Sequence, residues 1–202
     1  MIYTVHQTGI AIILGGGEIV ISPITIRYTK VLQDIFSLFN IREIKHIAEI
    51  GVGYGRQCRL IKEYLKNREY SLIDLPEAIE LTKKFLDKFS LGEGSKTYFI
   101  DGTGDIENIE VDLLISNYAF SELNREVQNF YLEKIINYAG SGYITWNSLS
   151  YEKGDGYSVA ELLDKIKGSF VIAENPLTDK DNCIIVWGTK RKKEHEGDAG
   201  VR

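Results

Sequence analysis

The sequence predicts an α/β fold: a seven-stranded, mostly parallel sheet with helices on both faces, closed by an antiparallel C-terminal hairpin. Three observations carry that expectation. After about residue 40, short β-branched apolar runs alternate with segments of helical period, the pattern of a parallel sheet built from crossover units. The run 111–116 is nearly continuous in apolar residues, as a central parallel strand must be. The last two runs, 170–174 and Cys183–Trp187, are joined by a connection too short for a crossover helix, so they should pair antiparallel.

The elements follow in order. Gly9–Leu14 and 18–22 are isoleucine-rich runs split by Gly15-Gly16-Gly17, which reads as a hairpin with a glycine turn. Pro23 opens a helix to about Phe39, with Ile24, Tyr28, Val31, Leu32, Ile35, Phe36 and Phe39 at helical spacing. His46–Ile50 is a buried strand, and 56–68 a helix with Cys58, Ile61 and Leu65 inward. Strand 70–74 leads to a helix begun by Pro76, with Ile79, Thr82, Phe85, Leu86 and Phe89 on one face. Strand 97–100 ends at Asp101-Gly102. Ser121 is placed to cap a helix running to about Ala139 and closed by Gly140, before a strand at 143–146. Ser158 and Glu161 have capping-box spacing and start a helix that Gly168 ends. Three regions result: an N-terminal hairpin and helix over 1–40 that would cap a site, a main domain over 41–190, and a polar tail over 191–202 expected to be disordered.

The chain has 202 residues, 44% apolar and 26% charged, with a net charge of -5. That composition can bury a full core. Without a basic stripe, a nucleic-acid partner is not expected. No apolar stretch approaches the ~20 residues of a membrane span, and the N-terminus does not read as a signal peptide. Cys58 and Cys183 are too far apart in sequence to suggest a metal or disulfide framework. The expectation is a cytoplasmic protein acting on a small molecule, with homo-oligomerisation left open.

The run Glu49-Ile50-Gly51-Val52-Gly53-Tyr54-Gly55, between a strand and a helix, is a ligand-binding turn. Its glycines permit unusual backbone angles and let a ligand approach the main chain. A dinucleotide site prefers G-x-G-x-x-G, whereas the spacing here is G-x-G-x-G. A carboxylate two positions before the first glycine would repel a pyrophosphate but suits the ammonium and sulfonium charges of S-adenosyl-L-methionine (SAM). Asp74 lies about twenty residues on, where an acid accepts hydrogen bonds from ribose hydroxyls. It could equally favour the helix N-terminus ahead of Pro76. Asp101 is placed either for an adenine amino group or for a turn with Gly102.

These residues resemble the class I SAM-dependent methyltransferases over about 42–190. Glu49 to Gly55 match the first motif, Asp74 the second, Asp101 the third, and 112–120 the fourth strand and its loop. The resemblance implies a Rossmann-like fold, SAM as cofactor with S-adenosylhomocysteine as product, and cofactor contacts from Glu49, Gly51, Gly53, Tyr54, Gly55, Gln57, Asp74, Leu75, Asp101, Gly102 and Asn117. Ile73-Asp74-Leu75-Pro76 is similar to small-molecule O-methyltransferases. Ser22-Pro23-Ile24-Thr25-Ile26-Arg27-Tyr28, Arg56-Gln57 after the glycine loop, and Ile115-Ser116-Asn117-Tyr118-Ala119-Phe120-Ser121-Glu122-Leu123 together resemble the sugar O-methyltransferases. That narrower resemblance implies transfer to a sugar or glycoconjugate hydroxyl in glycan biosynthesis. Such enzymes usually carry more sequence before the Ser-Pro helix, so part of the substrate cap is expected from a partner subunit or not at all.

A sugar hydroxyl is a poor nucleophile, so a general base helps. His6, His46 and His195 are poorly placed for it. Glu122, in the first turn after the fourth strand, is the candidate base, though a glutamate there also suits a helix N-terminus. Tyr118 in the same loop would orient the acceptor or pack in the core. The loop 147–157, with Asn147, Tyr151, Glu152 and Asp155, is a second source of acceptor contacts or a plain solvated loop. Arg27 and Tyr28 sit on a helix that either covers the cofactor or packs on the sheet. No set of metal ligands is spaced for a site, so no metal is expected. A noncatalytic SAM-binding subunit and an NAD-dependent reductase stay open as other functions. The loop 116–119 lacks the Asn/Asp-Pro-Pro-Tyr type that cradles a planar amine, which counts against an N-methyltransferase.

Overall fold

The computed structural model describes residues 3–6, 9–14, 17–89 and 95–190. Residues 191–202, expected to be a tail, lie outside them, as do Gly15 and Gly16 of the glycine turn. Strands β1 (Tyr3–His6), β2 (Gly9–Leu14) and β3 (Gly17–Ile21) form an antiparallel sheet in that order. The expected hairpin is β2–β3, with Leu14 opposite Gly17. Four-residue β1 is an addition, too short for its period to declare it.

Helix α1 (Pro23–Leu38) begins with proline in its first turn and buries Val31, Leu32, Ile35 and Leu38. The main sheet follows from β4 (His46–Ile50), α2 (Arg56–Tyr64), β5 (Glu69–Asp74), α3 (Pro76–Leu86), β6 (Thr97–Asp101) and β7 (Val111–Asn117). It is completed by α4 (Ala119–Glu122), α5 (Arg125–Lys134), β8 (Ala139–Trp146), α6 (Leu149–Glu152), α7 (Val159–Lys165), β9 (Phe170–Ala173) and β10 (Cys183–Trp187). Strand order is β6-β5-β4-β7-β8-β10-β9. The pairs β4–β5, β5–β6, β4–β7 and β7–β8 are parallel, while β10 is antiparallel to both β8 and β9. Only β10 is reversed in this seven-stranded sheet.

Alternation along each strand divides the core into two layers, because successive side chains point to opposite faces. Ile47, Leu113, Ile115, Tyr143 and Ile184 pack with Ile35 of α1 and Cys58 and Ile61 of α2. Ala48, Ile50, Leu114, Ile144 and Ile185 pack on the other face with Tyr131 and Leu132 of α5 and Leu162 of α7. Helix α1 thus shares the core of the main domain. From β4 the chain winds outward to β5 and β6, then returns to β7 on the other side of β4. That reversal opens a crevice at the carboxyl ends of the strands.

One expected helix is broken. The chain after β7 turns at Tyr118, with φ 66°, makes the single turn α4, and is extended again at Leu123. Asn124 caps α5, its side chain accepting from the Val127 N–H at 2.9 Å. The expected cap, Ser121, instead donates to the Tyr118 carbonyl at 2.6 Å and accepts from the Asn147 N–H at 3.1 Å. A 3-10 turn, Ile136–Tyr138, ends the helical stretch, and Gly140 lies inside β8 rather than closing a helix. These short turns keep apolar residues near helical spacing, so their breaks do not show in the period. The capping box of Ser158 and Glu161 is formed as its spacing predicts. The helix expected over 56–68 ends at Tyr64.

Candidate active site

The glycine loop leaves β4 at Ile50. Gly51, Gly53 and Gly55 all have positive φ, at 79°, 56° and 88°. Gly51 donates to the Ile73 carbonyl at 2.9 Å, which ties the loop to β5. A β-carbon on Gly51 would stand 1.9 Å from that of Ala119, so this glycine is where the loop after β7 presses against the first loop. A β-carbon on Gly53 would meet nothing within 4 Å. Its carbonyl accepts from the Thr82 hydroxyl at 3.1 Å.

Asp74, the last residue of β5, supports the same loop. Its Oδ2 accepts from the Gly53 N–H at 3.1 Å and its Oδ1 from the Leu75 N–H at 2.8 Å. Neither bond caps α3, whose N-cap is Leu75. A cavity of about 530 Å³ lies at the ends of β4, β5 and β6, lined by Gly51, Asp74, Leu75 and Gly102. Ala119, Val127, Phe130 and Tyr131 supply much of its other wall. Leu75 is 56% exposed, an apolar side chain held at the rim. The Tyr131 hydroxyl donates to the Gly102 carbonyl at 3.3 Å. Burial, with Asp74 and Asp101 nearby, pushes this phenol up to about 12, so it stays protonated. Phe130 and Tyr131 were not legible as site residues, since on the sequence they are ordinary inward positions of a helix.

The remaining candidates do not line this cavity. Asp101 is exposed, and its carboxylate accepts from the Thr103 hydroxyl at 2.6 Å and N–H at 2.8 Å. Those bonds hold it below the usual carboxylate range and make it a turn residue outside the cavity lining. Glu49 is 2% exposed beneath the loop and accepts from the Tyr70 hydroxyl at 2.7 Å. Burial raises its carboxyl to about 8, against the lowering effect of Tyr70, with Asp74 adding to the rise. Tyr54 packs edge-on to Phe85 with the Arg56 guanidinium over its ring. Gln57 is fully buried and reaches the Tyr28 carbonyl and the Asn117 amide, each at 3.5 Å.

Asn117 and Tyr118 line a second, smaller cavity of about 200 Å³. Arg27 and Lys30 of α1, Tyr143 of β8 and Glu174 after β9 also face it. The Arg27 guanidinium lies 5.2 Å from the centre of the Tyr118 ring. The Tyr118 hydroxyl donates to the Glu174 carboxylate. Glu122 lines neither cavity: it is exposed and accepts from the Asn147 amide at 2.7 Å. Glu122 and Tyr118 share one turn, the Glu122 N–H donating to the Tyr118 carbonyl at 3.2 Å, but their side chains have separate partners. Glu174 reaches this cavity from a hairpin connection with no motif around it, so its place here was not legible in the sequence. Among the described residues, no cluster of three or more His, Cys, Asp or Glu side chains could hold a metal ion, and no helix is long and apolar enough to cross a membrane.

A seven-stranded sheet with one reversed strand, a glycine turn after its first strand and an acid ending the second defines a Rossmann-like methyltransferase fold. No family profile and no curated protein matches the chain in sequence. Solved structures do match in shape. A candidate O-methyltransferase of Nostoc punctiforme PCC 73102 aligns over 81% of this chain and 56% of its own, with 13% identity and a TM-score of 0.59. The methyltransferase domain of bacterial CtHen1 aligns over 79% of this chain and 96% of its own, with 12% identity and a TM-score of 0.58. The mitomycin 7-O-methyltransferase MmcR aligns over 80% of this chain and 53% of its own, with 13% identity and a TM-score of 0.55. The chain thus spans about half the length of the Nostoc protein and MmcR, and the likeness is one of fold.

Proposed function

We propose that the protein is a SAM-dependent methyltransferase acting on a hydroxyl group of a small molecule, with a sugar or glycoconjugate as the acceptor class. The observation that carries the reading is the cavity at the ends of β4, β5 and β6, lined by Gly51 of the glycine loop and by Asp74, whose carboxylate also accepts from the Gly53 N–H. The residues present fit the cofactor. Asp74 retains lone pairs for ribose hydroxyls, Leu75 and Phe130 offer apolar faces to a base, and Gly51 and Gly102 contribute main chain to the lining. The acceptor class rests on the resemblance of the 22–28 and 115–123 segments to sugar O-methyltransferases.

When bound, SAM supplies an activated methyl group on a sulfonium. The chain's own task is to hold the acceptor oxygen at about 3 Å from that carbon and to exclude water. Asn117 and Tyr118, at the end of β7, are the residues placed to face the acceptor. The N-terminal half of α1 forms one wall through Arg27 and Lys30, in keeping with a capping role for the segment before residue 40.

Titration calorimetry with SAM, S-adenosylhomocysteine and NAD tests the reading. SAM and S-adenosylhomocysteine should bind and NAD should not; tight NAD binding without SAM binding would overturn it. Asp74→Ala should weaken SAM by roughly 1–3 kcal/mol, the cost of leaving hydrogen-bonding groups unpaired.

A further inference from the structure

The chain passes from one cavity to the other just after β7. Residues 117–119 are consecutive, yet Asn117 and Tyr118 line the smaller cavity while Ala119 lines the larger and touches Gly51. The two linings have no residue in common, so methyl transfer would require a donor in the larger cavity and an acceptor in the smaller to meet past this strip. At about 200 Å³ the smaller cavity is below the usual range for a whole ligand, so it takes one end of an acceptor, on the scale of a single ring.

Its polar groups are unevenly engaged. Asp34 already accepts from the Tyr143 hydroxyl at 2.9 Å and from Lys30 at 2.5 Å. Glu174 is held by Thr178, which also lines the cavity. Its Oε2 accepts from the Thr178 N–H at 2.9 Å and hydroxyl at 2.6 Å, and Asn182 donates to that hydroxyl at 2.8 Å. Its Oε1 accepts from Tyr118. The carboxylate is thus fixed in orientation with lone-pair capacity left on the oxygen beside Tyr118.

We propose that the smaller cavity binds the acceptor hydroxyl and that Glu174 takes its proton, with Tyr118 as a positioning residue. This rests on the methyltransferase reading. The acceptor oxygen forms a bond to the methyl carbon, the sulfur–methyl bond breaks with its electron pair going to sulfur, and the hydroxyl proton passes to the Glu174 carboxylate and then to water. A carboxylate of ordinary strength suffices, because the hydroxyl becomes strongly acidic as its oxygen gains the methyl. Burial pushes the Glu174 carboxyl up, but the hydrogen bonds from Thr178 and Tyr118 outweigh it and hold the group below the usual range, ionised at neutral pH. The sequence-derived candidate, Glu122, is turned to Asn147 instead.

The test uses the full chain loaded with S-adenosylhomocysteine, with UDP-glucose, GDP-mannose and methyl glucoside as probes. At least one probe should move the NMR amide signals of Tyr118, Glu174 and Thr178; shifts only elsewhere, or none, would overturn the cavity assignment. With SAM and the probe that binds, Glu174→Gln should lower kcat roughly 10²- to 10³-fold, the range of general-base catalysis, with KM within a few fold. Tyr118→Phe should lower kcat about tenfold by loosening the carboxylate. Both variants should bind SAM as the parent does. Bound probe without methylated product, an unchanged kcat in Glu174→Gln, or a loss confined to Glu122→Gln would each overturn the role of Glu174. Failure of the parent protein to bind SAM would instead remove the methyltransferase reading itself.

Discussion

Gly51 and Gly53 share a left-handed backbone but not a neighbourhood. The methyl of Gly51→Ala would collide with Ala119 at 1.9 Å, in the joint between two loops. Overpacking plus left-handed strain should cost roughly 2–5 kcal/mol, read as a lower urea midpoint. The methyl of Gly53→Ala meets open space, so only backbone strain of roughly 1–2 kcal/mol is expected in stability. Glu49 gives a pH prediction. Its folded pKa of about 8 lies above the ordinary carboxylate value, so the fold prefers the protonated form. That contribution is complete below the ordinary carboxylate range and is lost as pH rises toward and through about 8. Denaturant unfolding at pH 5.5 and 8.5 should show a decline on the order of a few kcal/mol in the free protein, absent in Glu49→Gln, which keeps an acceptor for Tyr70.

The same economy of local signals appears at the level of elements. The stretch 119–138 looks like one helix because its apolar residues recur at helical spacing, yet Asn124 restarts it with its own cap. Asn124→Ala should therefore cost about 1 kcal/mol and lower the melting temperature by roughly 2–4 °C. Ser121→Ala tests the opposite assignment. Its hydroxyl ties α4 to the Asn147 backbone, so its loss should disturb the segment around α6 in hydrogen exchange and leave α5 protected. The capping box at Ser158 was legible because both partners lie within one turn. The Ser121 bond was not, since Asn147 is brought to it only by the pairing of β7 with β8.

For the whole molecule, a cavity of about 530 Å³ and one of about 200 Å³ are lined by Ala119 and by Asn117 and Tyr118 in turn. A ligand that binds only the folded state stabilises it by mass action. SAM at a hundred times its dissociation constant should add about 2.7 kcal/mol and raise the melting temperature by roughly 5–10 °C, measured by scanning fluorimetry. The same concentration of NAD should leave the transition in place.

The sequence by itself determined the α/β alternation, the reversed last strand, the glycine turn and Asp74. Each of these depends on residues that are neighbours along the chain or repeat at a fixed period, so chain order encodes them directly. Only the tertiary structure decided how those pieces share a site. It buried Glu49 against Tyr70, withdrew Asp101 into a turn, and turned Glu122 toward Asn147. It also carried Glu174 from the final hairpin to Tyr118. The physical reason is that parallel strands bring together carboxyl ends far apart in sequence, and side chains meeting there obey no spacing the chain can display.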